Sequence, residues 1–532
     1  MAQLHLCEGC MGSAFDTPSI PSPGAQRSSK WENSSGHKDA LLDNTQGMST
    51  PGEETTSIEN VPPTVPLCVD LDGTLVHTDT LYEMFLAILG NIKTLAVIPF
   101  WLMAGKARLK HELAQRAPLN PALLPYNEPL LTYLRQQQQR GRRLILCTAA
   151  DQSVAEAINA HLGLFSEVFG SHDGCNLRGA EKARVLVERF GSRCFSYAGN
   201  DHTDLEVWRD AKSAILVNTS PKLAKRAAAL LPIELHVNAA KSQWYAFLKA
   251  LRPHQWVKNL LVFVPIITAN AMGNVEEWIY AVWLFMAFCA VASSLYLLND
   301  VTDLAADRQH PRKKARPLAS GAFPLAKGCA CMPVLFLLGV MLAGLVGAVW
   351  AVLLYAAISM LYSFWLKALP LIDLFALASL YTLRLFAGGE ATGHAVSLWL
   401  LAFSSFLFFS LASVKRVSEL MLQQHDTGAL ARRGYSRDDL QIVQIMGVSA
   451  SFVSAMILAL YVQSPEIMAR YIRPRFLWSL VPLMLFWQCH IWFATTRKNM
   501  HDDPLVYAAN DWVSRLVIIC LILIFVVSTL AL

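Results

Sequence analysis

Charge is what this sequence has least of. Asp, Glu, Lys and Arg make up 16% of its 532 residues, against about a quarter in ordinary soluble domains. With 54% hydrophobic residues and a mean hydropathy of +0.35, that deficit excludes a highly charged, solvated chain and points to a membrane. A disulfide framework is also missing, because the eleven cysteines are odd in number and scattered through apolar and polar segments alike. Cys7 and Cys10 in "CEGC" have no second ligand pair, which argues against a metal site there. The first twenty residues lack a basic start and a long apolar core, so no cleaved signal peptide is expected. Nor is there an aromatic–basic module of the kind that binds nucleic acid.

Long apolar runs, by contrast, dominate the second half. From Gln255 onward they recur at lengths that can cross a hydrocarbon core of about 30 Å. Nine spans are expected, near 256–272, 279–298, 330–347, 348–366, 371–389, 398–416, 443–463, 475–494 and 512–531, the 330–366 run being split near Gly347. Lys and Arg collect on one side of these spans, at Lys249, Arg252 and Lys258, at Arg308 to Lys327, at Lys367, at Lys415 to Arg437, and at Arg497 and Lys498. The opposite loops, such as "NAMGNVEEW" and "GGEATGHAVS", have none, with "EIMARYIRPR" as the exception. The basic side should face the cytoplasm, making the chain a multi-pass inner-membrane protein whose net charge of +5 is mostly a topology signal.

The first half divides differently. Residues 1–60 are rich in Ser, Thr, Gly, Pro and Glu without a sustained period, so a disordered tail is expected. Residues 61–235 alternate β-type runs ("PLCVDLDG", "RRLILCTAA", "CFSYAGND", "SAILVN") with helix-type segments, which predicts an α/β domain on a mainly parallel sheet. Residues 236–250 would link it to an all-α membrane domain over 251–532.

Within the α/β domain, "VDLDGTL" places Asp70 and Asp72 just past a predicted strand, where open parallel sheets bind their ligands. Residues two apart on a strand point the same way. The pair resembles the first motif of the haloacid dehalogenase-like hydrolases, and the resemblance covers most of 66–218. Thr148 after "LILC", Lys182 in "GAEKARVL" and Asp204 in "AGNDHTD" match that family's second, third and fourth motifs. The resemblance implies a nucleophile at Asp70, an acid/base at Asp72, phosphoryl contacts from Thr148 and Lys182, and Mg²⁺ held by Asp70, the Asp72 backbone carbonyl and the fourth motif. That motif usually opens with Asp where Asn200 stands, so either Asp201 or the Asn200 carbonyl would serve. Between the first two motifs, "LYEMFLAILGNIKTLAVIPFWLMAG" is very apolar, which suits a buried helical cap or a cap face resting on the bilayer.

In the membrane half, "LNDVTDLAADRQHPRKKARPLASG" sets Asp300, Asp303 and Asp307 at i, i+3 and i+7, with Asn299 beside them. On a helix these carboxylates share a face. They suit Mg²⁺ shared with substrate phosphates, and Arg312, Lys313, Lys314 and Arg316 follow at once to meet a diphosphate. "NDVTDLAAD" resembles the first Asp-rich motif of the UbiA superfamily of intramembrane transferases, over roughly 250–532. "LRPHQWVKN", "YSFWLK", "LRLFAGG" and "KRVSEL" resemble the branch of polyprenyl-phosphate phosphoribosyltransferases. The second DxxxD-type motif of the aromatic prenyltransferases is missing, and Asp373 stands alone between Lys367 and Arg384. The branch implies a phosphoribosyl diphosphate donor and a polyprenyl phosphate acceptor, whose anionic head needs a cationic seat. Lys258, Lys367, Arg384, Lys415 and Arg416 are the candidates. Two alternatives stay open: a prenyl diphosphate donor with an aromatic acceptor, and a hydrolase domain that is a non-catalytic or regulatory module.

Overall fold

The computed structural model describes residues 62–88, 92–172, 174–238, 243–271, 273–422, 434–498, 500 and 503–529, so the expected disordered tail and Cys7 and Cys10 lie outside the described residues. Six strands, β1 (Leu67–Val69), β2 (Leu144–Asp151), β3 (Glu167–Ser171), β4 (Ser196–Gly199), β5 (Ser213–Val217) and β6 (Ile233–Val237), form one parallel sheet in the order β3-β2-β1-β4-β5-β6. β1, β4 and β5 are buried throughout. Apart from Ser196 and Ser213, whose hydroxyls pair with each other at 2.7 Å, their runs carry no polar alternation, because helices cover both faces of the sheet. β6 runs past the expected boundary at 235, so part of the segment expected as a linker is strand.

Helices α1 (Thr80–Ala87), α2 (Ile92–Met103), α3 (Lys106–Arg116) and α4 (Glu128–Gln139) intervene between β1 and β2. Asp79 caps α1 by accepting from the Leu81 and Tyr82 amides. α5 (Gln152–Leu162), α6 (Ala180–Phe190), α7 (Asp204–Asp210) and α8 (Pro221–Ala228) are the crossovers of the later strands. Beneath them Arg142, completely buried, pairs with Glu234 and donates to Ser196 at 2.7 Å.

The remainder is helical: α9 (Gln243–Leu251), α10 (Val264–Thr268), α11 (Val275–Thr302), α12 (Leu304–Gln309), α13 (Leu325–Leu345), α14 (Val349–Phe364), α15 (Ile372–Thr392), α16 (Leu398–Leu422), α17 (Asp439–Val462), α18 (Pro465–Arg470), α19 (Leu480–Thr496), α20 (Pro504–Asn510) and α21 (Trp512–Thr529). Seven of them, α11, α13, α15, α16, α17, α19 with its preceding 3₁₀ run, and α21, are long and apolar enough to cross a membrane. They coincide with seven of the nine expected spans. α14 is shorter at 16 residues, and the expected span 256–272 is a 3₁₀ run, Pro253–Phe263, followed by the five-residue α10. Pro265, inside the expected span, has no amide to give to the ladder that a continuous helix would need there. α11, at 28 residues, is about 42 Å long at 1.5 Å per residue, more than a hydrocarbon core is thick. One of its ends must project, and its C-terminal turn carries Asp300.

Candidate active sites

Asp70 follows β1 directly, at the edge where the sheet order reverses between β2 and β4. The first turn of α6 supplies Lys182, whose Nζ donates to Asp70 Oδ1 and to the Tyr197 hydroxyl, both at 2.8 Å. Tyr197 in turn donates to Asp204 Oδ1 at 3.1 Å, and Asp204 Oδ2 accepts the Asn200 and Asp201 amides at 2.8 and 2.9 Å. Asp204 therefore spends both oxygens on holding its loop and, through Tyr197, on seating Lys182. Burial works against the Lys182 ammonium, but Asp70 and Asp204 outweigh it and hold its pKa above the ordinary lysine value. Burial together with Asp70 pushes Asp204 up to about 6 against Lys182. Thr148 is fully buried within β2, and its Oγ1 accepts the Ala150 amide at 3.0 Å.

Asp72 stands outside this chain of bonds. Its Oδ1 accepts the Thr80 amide at 2.9 Å. Burial first, then the nearby Asp79 and Asp70 charges, push it up to about 7, against the Thr80 hydrogen bond. A carboxyl that titrates near neutrality is suited to giving and taking a proton.

The fourth motif divides its two candidates spatially. Asn200 touches the first motif, since Thr74 Oγ1 donates to its Oδ1 at 3.3 Å. Gly73 has φ 75°, and a Cβ there would lie 2.1 Å from the Asn200 amide nitrogen. Glycine is needed at 73 for both reasons. Asp201 is exposed and turned into its own loop, accepting the His202 amide at 2.7 Å and the Thr203 hydroxyl at 3.4 Å. Lys182 uses only Oδ1 of Asp70, which leaves Oδ2, the Asp72 carbonyl and Asn200 Oδ1 as an all-oxygen donor set. That set fits Mg²⁺, with one carboxylate fewer than the usual motif gives. Among the described residues no cluster of three or more His, Cys, Asp and Glu side chains could hold a metal. A set built on an amide and a main-chain oxygen is consistent with that.

In the membrane half the expected helix breaks at Asp303, which separates α11 from α12. Asp300 and Asp307 are both 2% exposed and are brought together by one atom: Arg316 Nη1 donates to Asp300 Oδ1 at 3.1 Å and to Asp307 Oδ2. Arg252 donates to the same Asp300 oxygen. A helix C-terminus repels carboxylates, and the two guanidiniums offset that. Asp303 and Asn299 are half-buried beside them. Arg316 fills the space between the two carboxylates, which accords with the described residues holding no ready-made carboxylate cluster for a metal. Asp300 and Asp307 offer their oxygens to a divalent cation once Arg316 turns away. Arg312, Lys313 and Lys314 are exposed, on or beside the 3₁₀ turn Lys313–Ala315.

The remaining cationic candidates form two clusters and a singleton. Lys258 donates to Asp503 Oδ2 at 2.7 Å, Lys415 lies 3.5 Å from the same oxygen, and Tyr381 donates to both Asp503 oxygens. Arg384, buried in α15, donates to Asn259 at 2.8 Å and to the Tyr355 hydroxyl at 3.1 Å, with its guanidinium 4.5 Å from the Tyr355 ring centre. Elsewhere Arg416, 1% exposed, is clamped between Asp373 and Glu419, and Tyr435 donates to Asp373. Asp373 and Arg416 thus neutralise each other in the core. Lys367 is half-buried on the 3₁₀ turn Leu366–Ala368.

Sequence reasoning missed Asp503, Arg252 and the seam between the two halves. "DDPL" reads as a helix cap followed by Pro, and Asp503 does accept the Leu505 amide, but nothing local points to Lys258. In the sequence Arg252 is only a charge flanking an apolar run. At the seam, Arg308 donates to Glu83 through both terminal nitrogens at 2.7 and 2.6 Å, and through Nε to the Ala319 carbonyl at 3.0 Å. Gly321, φ 73°, packs so closely on His77 that a Cβ would sit 2.4 Å from that side chain. The segments joined here adjoin the two carboxylate motifs.

The chain matches the model of the UbiA prenyltransferase family over residues 260–510 and that of the haloacid dehalogenase-like hydrolases over 67–209. Protein y4nM of Sinorhizobium fredii is 34% identical over 459 residues, covering 84% of this chain and 88% of its own. Nodulation protein NoeC of Azorhizobium caulinodans is 36% identical over 291 residues, 54% of this chain and 94% of its own. Decaprenyl-phosphate phosphoribosyltransferase of Mycobacterium tuberculosis is 34% identical over 217 residues, 38% of this chain and 70% of its own. The chain belongs to the UbiA prenyltransferase family, with a haloacid dehalogenase-like hydrolase domain ahead of its membrane helices.

Proposed function

We propose that the membrane half moves a phosphoribosyl group from phosphoribosyl diphosphate to a polyprenyl phosphate, and that the hydrolase half removes the 5′-phosphate from the lipid-linked product. The observation that carries the first step is kinship with decaprenyl-phosphate phosphoribosyltransferases, joined to the Asp300–Arg316–Asp307 arrangement. An oxygen of the acceptor phosphate attacks C1 of the ribose, the bond from C1 to the diphosphate breaks, and diphosphate leaves with the electron pair. The acceptor is already anionic, so no general base is required. Arg316 and Arg252 meet charge that develops on the diphosphate, and Lys258, Lys415 and Arg384 seat the acceptor head. With Arg316 turned to the diphosphate, Asp300, Asp303 and Asp307 would hold Mg²⁺, which supplies positive charge for the leaving group.

In the hydrolase domain Asp70, oriented by Lys182, attacks phosphorus while Asp72 gives its proton to the departing 5′-oxygen. Asp72 then takes a proton from water, which attacks the phosphoaspartate and releases inorganic phosphate. Thr148 and Lys182 hold the phosphoryl oxygens. Asp70, the Asp72 carbonyl and Asn200 would hold Mg²⁺, which offsets the charge of the incoming phosphate. Both sites are taken to face the cytoplasm.

The test is mass spectrometry of lipid products made by membranes carrying the full chain, given phosphoribosyl diphosphate and polyprenyl phosphate. A phosphoribosyl lipid that loses phosphate with time supports both steps. A prenylated aromatic acid made instead from a prenyl diphosphate would overturn the first. Phosphoribosyl lipid that never loses phosphate would make the hydrolase domain a binding module.

A further inference from the structure

Helix α2 has an outer face that the described residues leave uncovered. Ile98 and Trp101 turn inward to the hydrolase core, where Trp101 is buried and lies under the Arg116 guanidinium, 4.5 Å from its ring centre. The opposite side of the same helix exposes Val97 at 40%, Phe100 at 70%, Leu102 at 55% and Met103 at 87%. From Ala96 to Met103 no residue is charged or polar. A soluble domain rarely shows so continuous an apolar face to water.

Its position says what covers it. Leu86, at the end of α1, packs on the cluster formed by Leu297, Val301, Phe323 and Leu325, where the spanning helices α11 and α13 end and begin. α2 starts six residues after Leu86. The cap is therefore held at the level where two spans leave the hydrocarbon. α9 meets the same cluster from its other side through Ala246 and Phe247, and it too exposes aromatics, Trp244 and Tyr245. Such residues favour the boundary between acyl chains and headgroups. Lys106, exposed, opens α3 just beyond Met103, a charge that suits anionic headgroups.

We propose that α2 is an interfacial helix whose Val97, Phe100, Leu102 and Met103 insert into the lipid surface beside the spans. A short apolar helix with charge at its edge lies in that plane and does not cross. The occupant is phospholipid, and the proposal does not depend on which substrate either active site takes.

The test uses the full chain in phospholipid nanodiscs. In the unaltered protein, a brief hydroxyl-radical pulse should oxidise Met103 several-fold more slowly than the same methionine in its proteolytic peptide. With a photoreactive benzophenone side chain at position 100 or 103, irradiation should give phospholipid adducts. The same probe at 135, on the exposed face of α4, should give none. Oxidation of Met103 at the peptide's rate overturns the proposal. So does crosslinking at 100 and 103 to this chain or a second copy without lipid adducts.

Discussion

The ion pair between Glu83 and Arg308 is the sharpest place to test how the two halves are held together. Both side chains are 7% exposed, the guanidinium meets both carboxylate oxygens, and its third nitrogen is taken by the Ala319 carbonyl. Glu83→Gln keeps the shape but leaves a nearly buried guanidinium without its counter-charge, a change that costs about 3–5 kcal/mol. At 1.36 kcal/mol per tenfold, opening of this seam should become roughly 150-fold or more easier. The assay is hydrogen exchange of the α1 amides in the full chain, read peptide by peptide, since α1 can lose its dock only if this pair opens. Glu83→Leu combined with Arg308→Met removes both charges and should recover most of that protection, because an apolar replacement for a buried pair is often near neutral. Less than a fivefold change in exchange for Glu83→Gln would refute the reasoning, and so would additive losses in the double variant.

Asp300→Asn should reduce phosphoribosyl transfer at least about a hundredfold while leaving the membrane helices assembled, measured by lipid product yield and detergent-stable recovery; near-normal turnover would refute the role. Asp70→Asn should abolish phosphate release and leave transfer untouched, so that the 5′-phosphorylated lipid accumulates on chromatograms of the products. In a Mg²⁺ titration of phosphate release, Asn200→Asp should lower the metal requirement by adding a charged ligand beside Thr74, whereas Asp201→Ala should leave it unchanged; the reverse pattern would move the ligand to Asp201. Burial raises the Glu234 pKa, but the Arg142, Tyr133 and Ser213 hydrogen bonds outweigh it and hold the carboxyl below its ordinary value. Its contribution is therefore full above the unfolded pKa of about 4.3 and is lost as pH falls through the lower folded value. Acid unfolding of the sheet, followed by fluorescence of the buried Trp208, should have a weaker pH dependence in Glu234→Gln.

What the sequence determined by itself is whatever is local. Strand runs, helix-type segments and apolar lengths are patterns within ten to twenty residues, and they suffice to separate an α/β half with a parallel sheet from a helical membrane half. Asp70, Asp72, Lys182 and the Asp-rich turn are legible as candidates for the same reason, because each motif is contiguous. Apolar length alone misleads where a proline sits inside the run. The run at 256–272 is apolar enough to span but is a 3₁₀ segment followed by a five-residue helix, and Pro265 has no amide for a continuous ladder. Only the tertiary structure decided which charges meet. Asp503 lies 245 residues from Lys258, and Glu83 lies 225 from Arg308. Electrostatic partners across such separations leave no periodicity to read. Arg416 and Lys415 are neighbours in sequence, yet one is closed in the core against Asp373 while the other reaches Asp503. Successive side chains on a helix point about 100° apart, and packing alone assigns each direction its surroundings.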